Sequence, residues 1–374
     1  MWGSEVLMEE KKLGVRNVVS VSVGLVIATS CLVSLGQGAG NIGVVFIFAM
    51  IIACMLNMIS IASMSELNAL MPNTTGGLAQ YTLTSLGPVP TMVSMVGGYI
   101  LCNVLSAGVE ASIFSYAMGE ILHLPISNFW YTFLVTSVLL IANLKGVDMF
   151  AKIQDLVAYL LLGSMFFMGL IGALGMGTGV KIDQPYYMTT NPADIVPMIA
   201  VAFWLFIGAE YAIPISKDVK NAKRNVPLGM FIGLAIMCGV QSVMIFGFHN
   251  YTTWKELTES PAPHLLYGMN LLGTPGKLWM TLVAALAVVS TQNSSVQGLA
   301  NICQGMAKMN MMPQFFAKTN KRKVPFFGVI FVSVTILIFA FISDSSSSAI
   351  SFLILVGSVF WMISCFSFLS DKLF

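Results

Sequence analysis

The sequence predicts an all-α integral membrane protein of ten transmembrane helices, built as two inverted five-helix repeats. Three observations predict it. Hydrophobic residues make up 57% of the 374 and charged residues 9%, against about 25% charged in a soluble domain; the mean hydropathy is +0.85. Apolar runs of the roughly 20 residues needed to cross a bilayer recur along the chain. Finally, Lys and Arg gather in alternate loops, as they do in a chain that threads back and forth through a membrane.

Ten segments reach spanning length: about 17–41, 43–65, 91–121, 128–144, 153–177, 194–216, 226–248, 278–305, 325–343 and 347–369. Alternation in ten-residue strands is absent, which excludes a transmembrane barrel. With the N-terminus in the cytoplasm, the inside segments hold Lys11, Lys12 and Arg16, then Lys145 and Lys152, the Lys217–Arg224 cluster, the Lys308–Lys323 cluster and Lys372. Of the 18 Lys and Arg, only Lys181, Lys255 and Lys277 then remain outside. Both termini are therefore expected to be cytoplasmic, in a multi-pass protein of the cell membrane. A missed or extra helix would scramble this split, so it also supports the count of ten. The run after the polar segment 1–16 is too long for a signal-peptide core and reads as a first span.

The expected organisation is one membrane domain over 1–374. Its first repeat is 17–177 and its second is 194–369. Two longer outside loops fall near 178–193 and 249–277, the second with room for a short interfacial helix. Segment 66–90 is cytoplasmic and rich in turn formers.

Other function classes find no support. The six cysteines (Cys31, Cys54, Cys102, Cys238, Cys303, Cys365) sit in apolar runs without a C-x-x-C, the pattern of small packing residues. His123, His249 and His264 lie between runs without ligand spacing. There is no P-loop, no dinucleotide fingerprint and no G-x-S-x-G. No metal, cofactor, enzymatic activity or nucleic-acid partner is expected.

In lipid, backbone that leaves the helix must line a cavity or be buried in protein. Interruptions at matching places in two halves therefore point to a transport site. Five plus five pairs span 1 with span 6, and an odd number per half inverts the second repeat. Span 6, within VAFWLFIGAEYAIPISKDVKNAKRNVPLG (201–229), carries Gly208, Glu210 and Pro214. Span 1 carries the polar triplet Thr29, Ser30 and Cys31. Its hydroxyls either satisfy freed backbone groups or bond their own preceding turn in an intact helix.

Glu210 is the sharper signal, because an acid at membrane depth is costly unless paired, solvated or protonated. Coupling to proton movement is the functional reading; a neutral acid bonded across helices is the alternative. Span 3 places Cys102, Ser106 and Glu110 at four-residue spacing, on one helical face that should turn inward. Two buried acids suit a substrate amine, with simple packing polarity as the alternative. Span 8 contains STQNSSVQ (290–297). There Ser290, Ser294 and the amides either coordinate Na⁺, line the substrate path or bind neighbouring helices.

These residues also carry a resemblance. FWLFIGAEYAIPISKDVKNAKRNVPLG resembles span 6 and the following loop of the amino acid–polyamine–organocation (APC) permeases. Their F-x-G-x-E core falls on Phe206, Gly208 and Glu210, and their N-x-x-R-x-[IV]-P loop on Asn221, Arg224, Val226 and Pro227. ELNALMPNTTGGLAQYTLTSLGP, ANLKGVDMFAKIQD and MAKMNMMPQFFAKTNKRKVPFFGV are similar to that family's stretches after span 2, before span 5 and after span 8.

The resemblance implies the LeuT-type fold and alternating access around a midplane site. It further implies that backbone N–H groups at Thr29, Ser30 and Cys31 meet a substrate carboxylate, while the backbone at Trp204, Ile207 and Gly208 meets the α-amine. Trp204 matches an outer-gate aromatic of the similar arginine/agmatine exchangers, and Glu210 matches their buried acid. The family's span 1 G-x-G is replaced here by Thr29-Ser30-Cys31. Leu161 stands where some relatives have a span 5 lysine, and Gln304 where a basic residue is common in span 8. Most relatives have twelve spans; spans 11 and 12 are lacking here.

The expected function is secondary transport of an amino acid or small amine, by exchange or by H⁺ or Na⁺ symport. Thr29, Ser30, Cys31, Cys102, Ser106, Trp204, Ile207 and Gly208 are the binding candidates. Trp204, Glu210, Glu110, Ser290 and Ser294 are the candidates for gating or coupling. The alternative is a truncated non-transporting protein, or a substrate sensor that keeps the pocket.

Overall fold

The computed structural model of the chain describes residues 13–71, 77–122, 124–188, 191–344 and 359. Among these residues the regular structure is helical, with two isolated bridges, Leu13–Val219 and Gly43–Tyr187. The first apolar run forms two half-helices, α1 (Val15–Val26) and α2 (Thr29–Ile42), bent by 66° about Ile27 and Ala28. α3 (Phe46–Leu70) is continuous.

In the stretch expected to be a cytoplasmic, turn-rich loop, α4 (Leu78–Leu86) and α5 (Pro88–Met92) form. Its turn formers act as boundaries instead. Gly77 precedes α4, Gly87 has φ +82° between the two helices, and Pro88 takes the first position of α5, where its missing N–H costs nothing. α5 runs through a π-helical stretch, Val93–Leu101, into α6 (Cys102–Leu122).

α7 (Phe129–Leu144), α8 (Val147–Ala173), α9 (Ile195–Phe203) and α10 (Ala222–Tyr251) follow. Two short helices, α11 (Trp254–Glu259) and α12 (Pro263–Leu272), lie in the loop after α10 that was expected to face outside. α13 (Thr274–Lys308) and α14 (Phe326–Asp344) complete the described helices. Among the described residues six helices are long and apolar enough to cross a membrane, and seven with the bent α1–α2 pair. α7 and the apolar part of α14 are shorter. The expected span 347–369, apart from residue 359, lies outside the described residues, as do Lys11, Lys12, His123, Cys365 and Lys372.

α10 packs along α8, α1 and α3, and α13 against α8, α12, α14 and α6. Lipid tails supply no hydrophobic drive between helices, so close backbone approach matters. At the α8–α10 crossing a Cβ on Gly172 would stand 2.7 Å from the Cα of Gly247. α13 is the central rod: its segment Ser290–Ala307 is buried on all sides.

On the side bearing few bases, residues 182–188 form a strap. Ile182 N–H donates to Asn250 O at 2.9 Å, Gln184 Nε2 to His249 O at 2.8 Å, and Val44 N–H to Tyr186 O at 2.7 Å. The Tyr186 ring stacks on His249 with centroids 4.1 Å apart. α11 opens with a capping box, Thr253 and Glu256 exchanging backbone N–H bonds, and Trp254 Nε1 donates to Pro185 O at 2.8 Å.

Candidate functional site

The first N–H groups of a helix have no partner within it, and Ser, Thr, Asp or Asn at the N-cap usually supplies one. At α2 the N-cap is Ala28, which has no oxygen to offer. The partner comes instead from α6. Glu110 Oε2 accepts the N–H of Thr29 at 2.8 Å, and its Oε1 accepts the N–H of Ser30 at 3.0 Å. The N–H groups of Cys31 and Leu32 turn back to Ala28 O at 3.0 and 3.4 Å, and that of Ala28 donates to Val26 O at 3.0 Å. A carboxylate thus sits on the positive end of the α2 dipole.

Span 6 breaks in its own way. α9 tightens into a 3₁₀ turn at Trp204–Phe206, Ile207 is extended, and Gly208 takes φ +120° before a second 3₁₀ turn, Ala209–Ala212. Only glycine adopts that φ readily. A Cβ there would also lie 3.1–3.2 Å from Leu25 and from Val26 N, so the two breaks touch. Glu210, buried, turns its Oε2 back to the N–H of Gly208 at 3.0 Å. Cys31 Sγ lies 2.9 Å from Val26 O and 3.7 Å from Trp204 O, bridging both broken spans. Asn57 Nδ2 and Gln241 Nε2 each donate at 3.4 Å, to Phe203 O and Leu205 O, and hold carbonyls left over where α9 ends.

The span 3 face is as spaced in the sequence but mixed in burial. Cys102 and Glu110 are buried and Ser106 between them is exposed. Ser30, whose N–H binds Glu110, is exposed too, so accessible space adjoins that carboxylate. Trp204 and Ile207 are half-buried.

In α13 the polar run faces other polar side chains. Thr136 Oγ1 donates to Gln292 Oε1 at 3.2 Å, and Asn143 Nδ2 to Asn293 Oδ1 at 3.0 Å. Asn293 Nδ2 donates to Gln154 Oε1 at 2.9 Å, and Gln154 Nε2 to Ser290 Oγ at 2.7 Å. Ser290 is therefore an anchored member of a network. Ser294 Oγ, with Thr291 Oγ1 and Ser295 Oγ, is buried without a protein partner.

The structure brings Thr29, Ser30 and Glu110 into direct contact, Cys31 to Trp204, and Gly208 to Glu210 and α1. The break in span 1 lies at Ile27–Ala28, just before the polar triplet rather than on it. Sequence reading missed Gln154, Asn143 and the Asp155 cluster at the foot of α1. Q-D in an otherwise apolar span 5 was the available signal for the first and last of these. Among the described residues no three His, Cys, Asp or Glu are grouped to hold a metal.

The family model described as Amino acid permease matches residues 13–370. The chain belongs to the amino acid permease family. An uncharacterized protein of Methanocaldococcus jannaschii is 24% identical to this permease over 83% of the chain and 72% of its own length. An uncharacterized amino acid permease of Bacillus subtilis is 22% identical over 72% and 63%, and an arginine/ornithine antiporter of Latilactobacillus sakei 26% over 56% and 45%. The permease thus spans under two thirds of the length of the latter two.

Two solved structures share its fold. One is a substrate-bound, outward-open Na⁺-coupled sialic acid symporter, with a TM-score of 0.64 and 9% identity over 97% of this chain and 91% of that one. The other is a nucleobase-cation-symport-1 family transporter, closed on bromovinylhydantoin, with a TM-score of 0.55 and 14% identity over 93% and 75%. The permease is a multi-pass, all-helical membrane protein of the LeuT-type fold.

Proposed function

We propose that this permease is a secondary transporter that moves an amino acid or related small amine across the cell membrane by alternating access. One observation carries the reading: spans 1 and 6 are both broken, touch at Gly208 and Leu25–Val26, and each break is capped by a buried carboxylate. Backbone that leaves the helix at membrane depth stays satisfied only around a protein-lined or wet hollow. Half-helix ends there offer partial charges to a ligand.

On this reading the chain has ten spans, with both termini cytoplasmic and halves at 17–177 and 194–369. Trp204 closes the outer side, while Thr29–Cys31, Cys102, Ser106 and Ile207–Gly208 surround the ligand. Glu110, Glu210, Ser290 and Ser294 serve gating and coupling to H⁺ or Na⁺. A ligand shifts the inward–outward equilibrium only by binding the two states unequally.

The test is uptake and counterflow of labelled amino acids and amines in liposomes containing the purified chain. Flux above that of empty liposomes supports transport. Saturable binding without flux indicates a sensor and refutes it.

A further inference from the structure

Two thiols from different spanning helices meet. Cys54 of α3 is buried and Cys238 of α10 half-buried, and their side chains hydrogen-bond each other. Cys54 Sγ also lies 3.8 Å from Leu234 O, the carbonyl that one helical turn sets beneath Cys238. The Cys54 sulfur is thus lodged on α10 against Cys238. Ser242, a turn further on, donates its hydroxyl to Cys238 O at 2.7 Å and also hydrogen-bonds the Cys238 sulfur. Cys31 and Cys102 are partnered differently, the first with backbone oxygens and the second with Ser106.

The surroundings fix what can reach the pair. On α3 the neighbours Ile51, Ile52, Met55 and Leu56 are exposed, as is Ile236 on α10, and a Cβ on Gly239 would meet nothing within 4 Å. Cys238 is therefore approached across an apolar surface, between two helices of membrane-spanning length. Such a surface admits a lipid-soluble reagent and turns away a charged one. A thiol is oxidised by a peroxide to a sulfenic acid, and a second thiol within reach converts that product to a disulfide.

We propose that Cys54 and Cys238 are a redox pair that lipid-borne hydroperoxides close into a disulfide, with Cys238 reacting first and Cys54 resolving it. The Cys238 sulfur attacks the terminal oxygen of the hydroperoxide and the O–O bond breaks. The thiol proton passes to the departing alkoxide, which leaves as an alcohol, and Cys238 becomes a sulfenic acid. The Cys54 sulfur then attacks that of Cys238; the S–O bond breaks, and the hydroxyl departs as water with the Cys54 proton. The two thiols lose two electrons and the hydroperoxide gains them. The new bond joins α3 to α10 covalently, whatever the permease transports.

The experiment places the full chain in liposomes and treats one sample with cumene hydroperoxide, which enters lipid, and another with oxidised glutathione, which is charged. Thiols are then alkylated in denaturant and the chain is digested for mass spectrometry. Cumene hydroperoxide is expected to give a linked pair of peptides carrying Cys54 and Cys238, lighter by two hydrogens than the separate peptides. Dithiothreitol should return both thiols to alkylation. In Cys54→Ser the sulfenic acid of Cys238 should persist and be trapped by dimedone, whereas in Cys238→Ser the Cys54 thiol should stay reduced. Two alkylated thiols after hydroperoxide, oxidation of Cys238 without linkage, or linkage by oxidised glutathione alone overturns the inference. Should a variant not fold, the linked peptide in the unaltered chain decides alone.

Discussion

Gln154 Nε2 donates to the hydroxyl of Ser290 at 2.7 Å, joining α8 to α13 just behind Gly24 of α1. A Cβ on Gly24 would run into both partners, Gln154 Nε2 and Ser290 Oγ. Gly24→Ala should therefore separate them and lower stability by about 1–3 kcal/mol, as overpacking of a closed core does. Gly163→Ala in α8, where a Cβ meets nothing within 4 Å, should leave stability unchanged or raise it by up to about 1 kcal/mol. Thermal unfolding of the two variants in the same detergent checks the contrast.

Asp155 gathers the foot of α1. It accepts from the hydroxyl of Ser20 and from Asn17 Nδ2, the latter at 2.9 Å, and Arg16 Nε lies 3.6 Å away. The Arg16 side chain is 74% exposed against 15% for Asp155, so water screens this ion pair. Asp155→Ala should cost about 1–3 kcal/mol by stranding Ser20 and Asn17. Arg16→Ala should cost less than about 1 kcal/mol. Equal losses in melting temperature would show that the ion pair, not the hydroxyl and amide, fastens α1 to α8.

Glu210→Gln keeps an oxygen that can accept the Gly208 N–H and removes the exchangeable proton. The variant should insert at the level of the unaltered chain, while the pH dependence of its transport changes. Uptake across a pH series in liposomes reads this directly; an unchanged profile would take Glu210 out of coupling.

His264, in α12 outside the spans, is buried with its Nδ1 unpartnered, and burial pulls its pKa down from 6.5 to about 4. The folded state then binds fewer protons than the unfolded state between these values. Its contribution to stability is present above pH 6.5 and is lost as the pH falls towards 4, at up to about 1.4 kcal/mol per unit. His264→Gln should flatten the fall of melting temperature between those pH values. A slope identical to that of the unaltered chain would assign the acid sensitivity to other groups.

The helical membrane frame was legible because run length and loop charge are properties of the chain itself. The break in span 6 was legible for a similar reason: Gly208, Glu210 and Pro214 fall close together in an apolar run. The break in span 1 was displaced by two residues, and the cause is physical. Ile27 and Ala28 carry no sign of unwinding; the group that makes it tolerable is Glu110, 81 residues further along from Thr29. A cap supplied from another helix leaves no local trace. The face of Cys102, Ser106 and Glu110 could be placed by its spacing, but spacing alone did not reveal which backbone Glu110 would serve. Likewise, Ser290 and Ser294 read alike in the polar run. Only the reach of Gln154 from α8 separates an anchored hydroxyl from one without a partner.

The strap at 182–188 is fastened at both ends of its course, to Val44 where α2 gives way to α3 and to His249–Asn250 where α10 stops. Those two helix ends therefore cannot part without unstacking Tyr186 and breaking a hydrogen-bonded seam. While the strap holds, the junction of α2 and α3 and the tip of α10 stay joined, so any movement of one on that face carries the other.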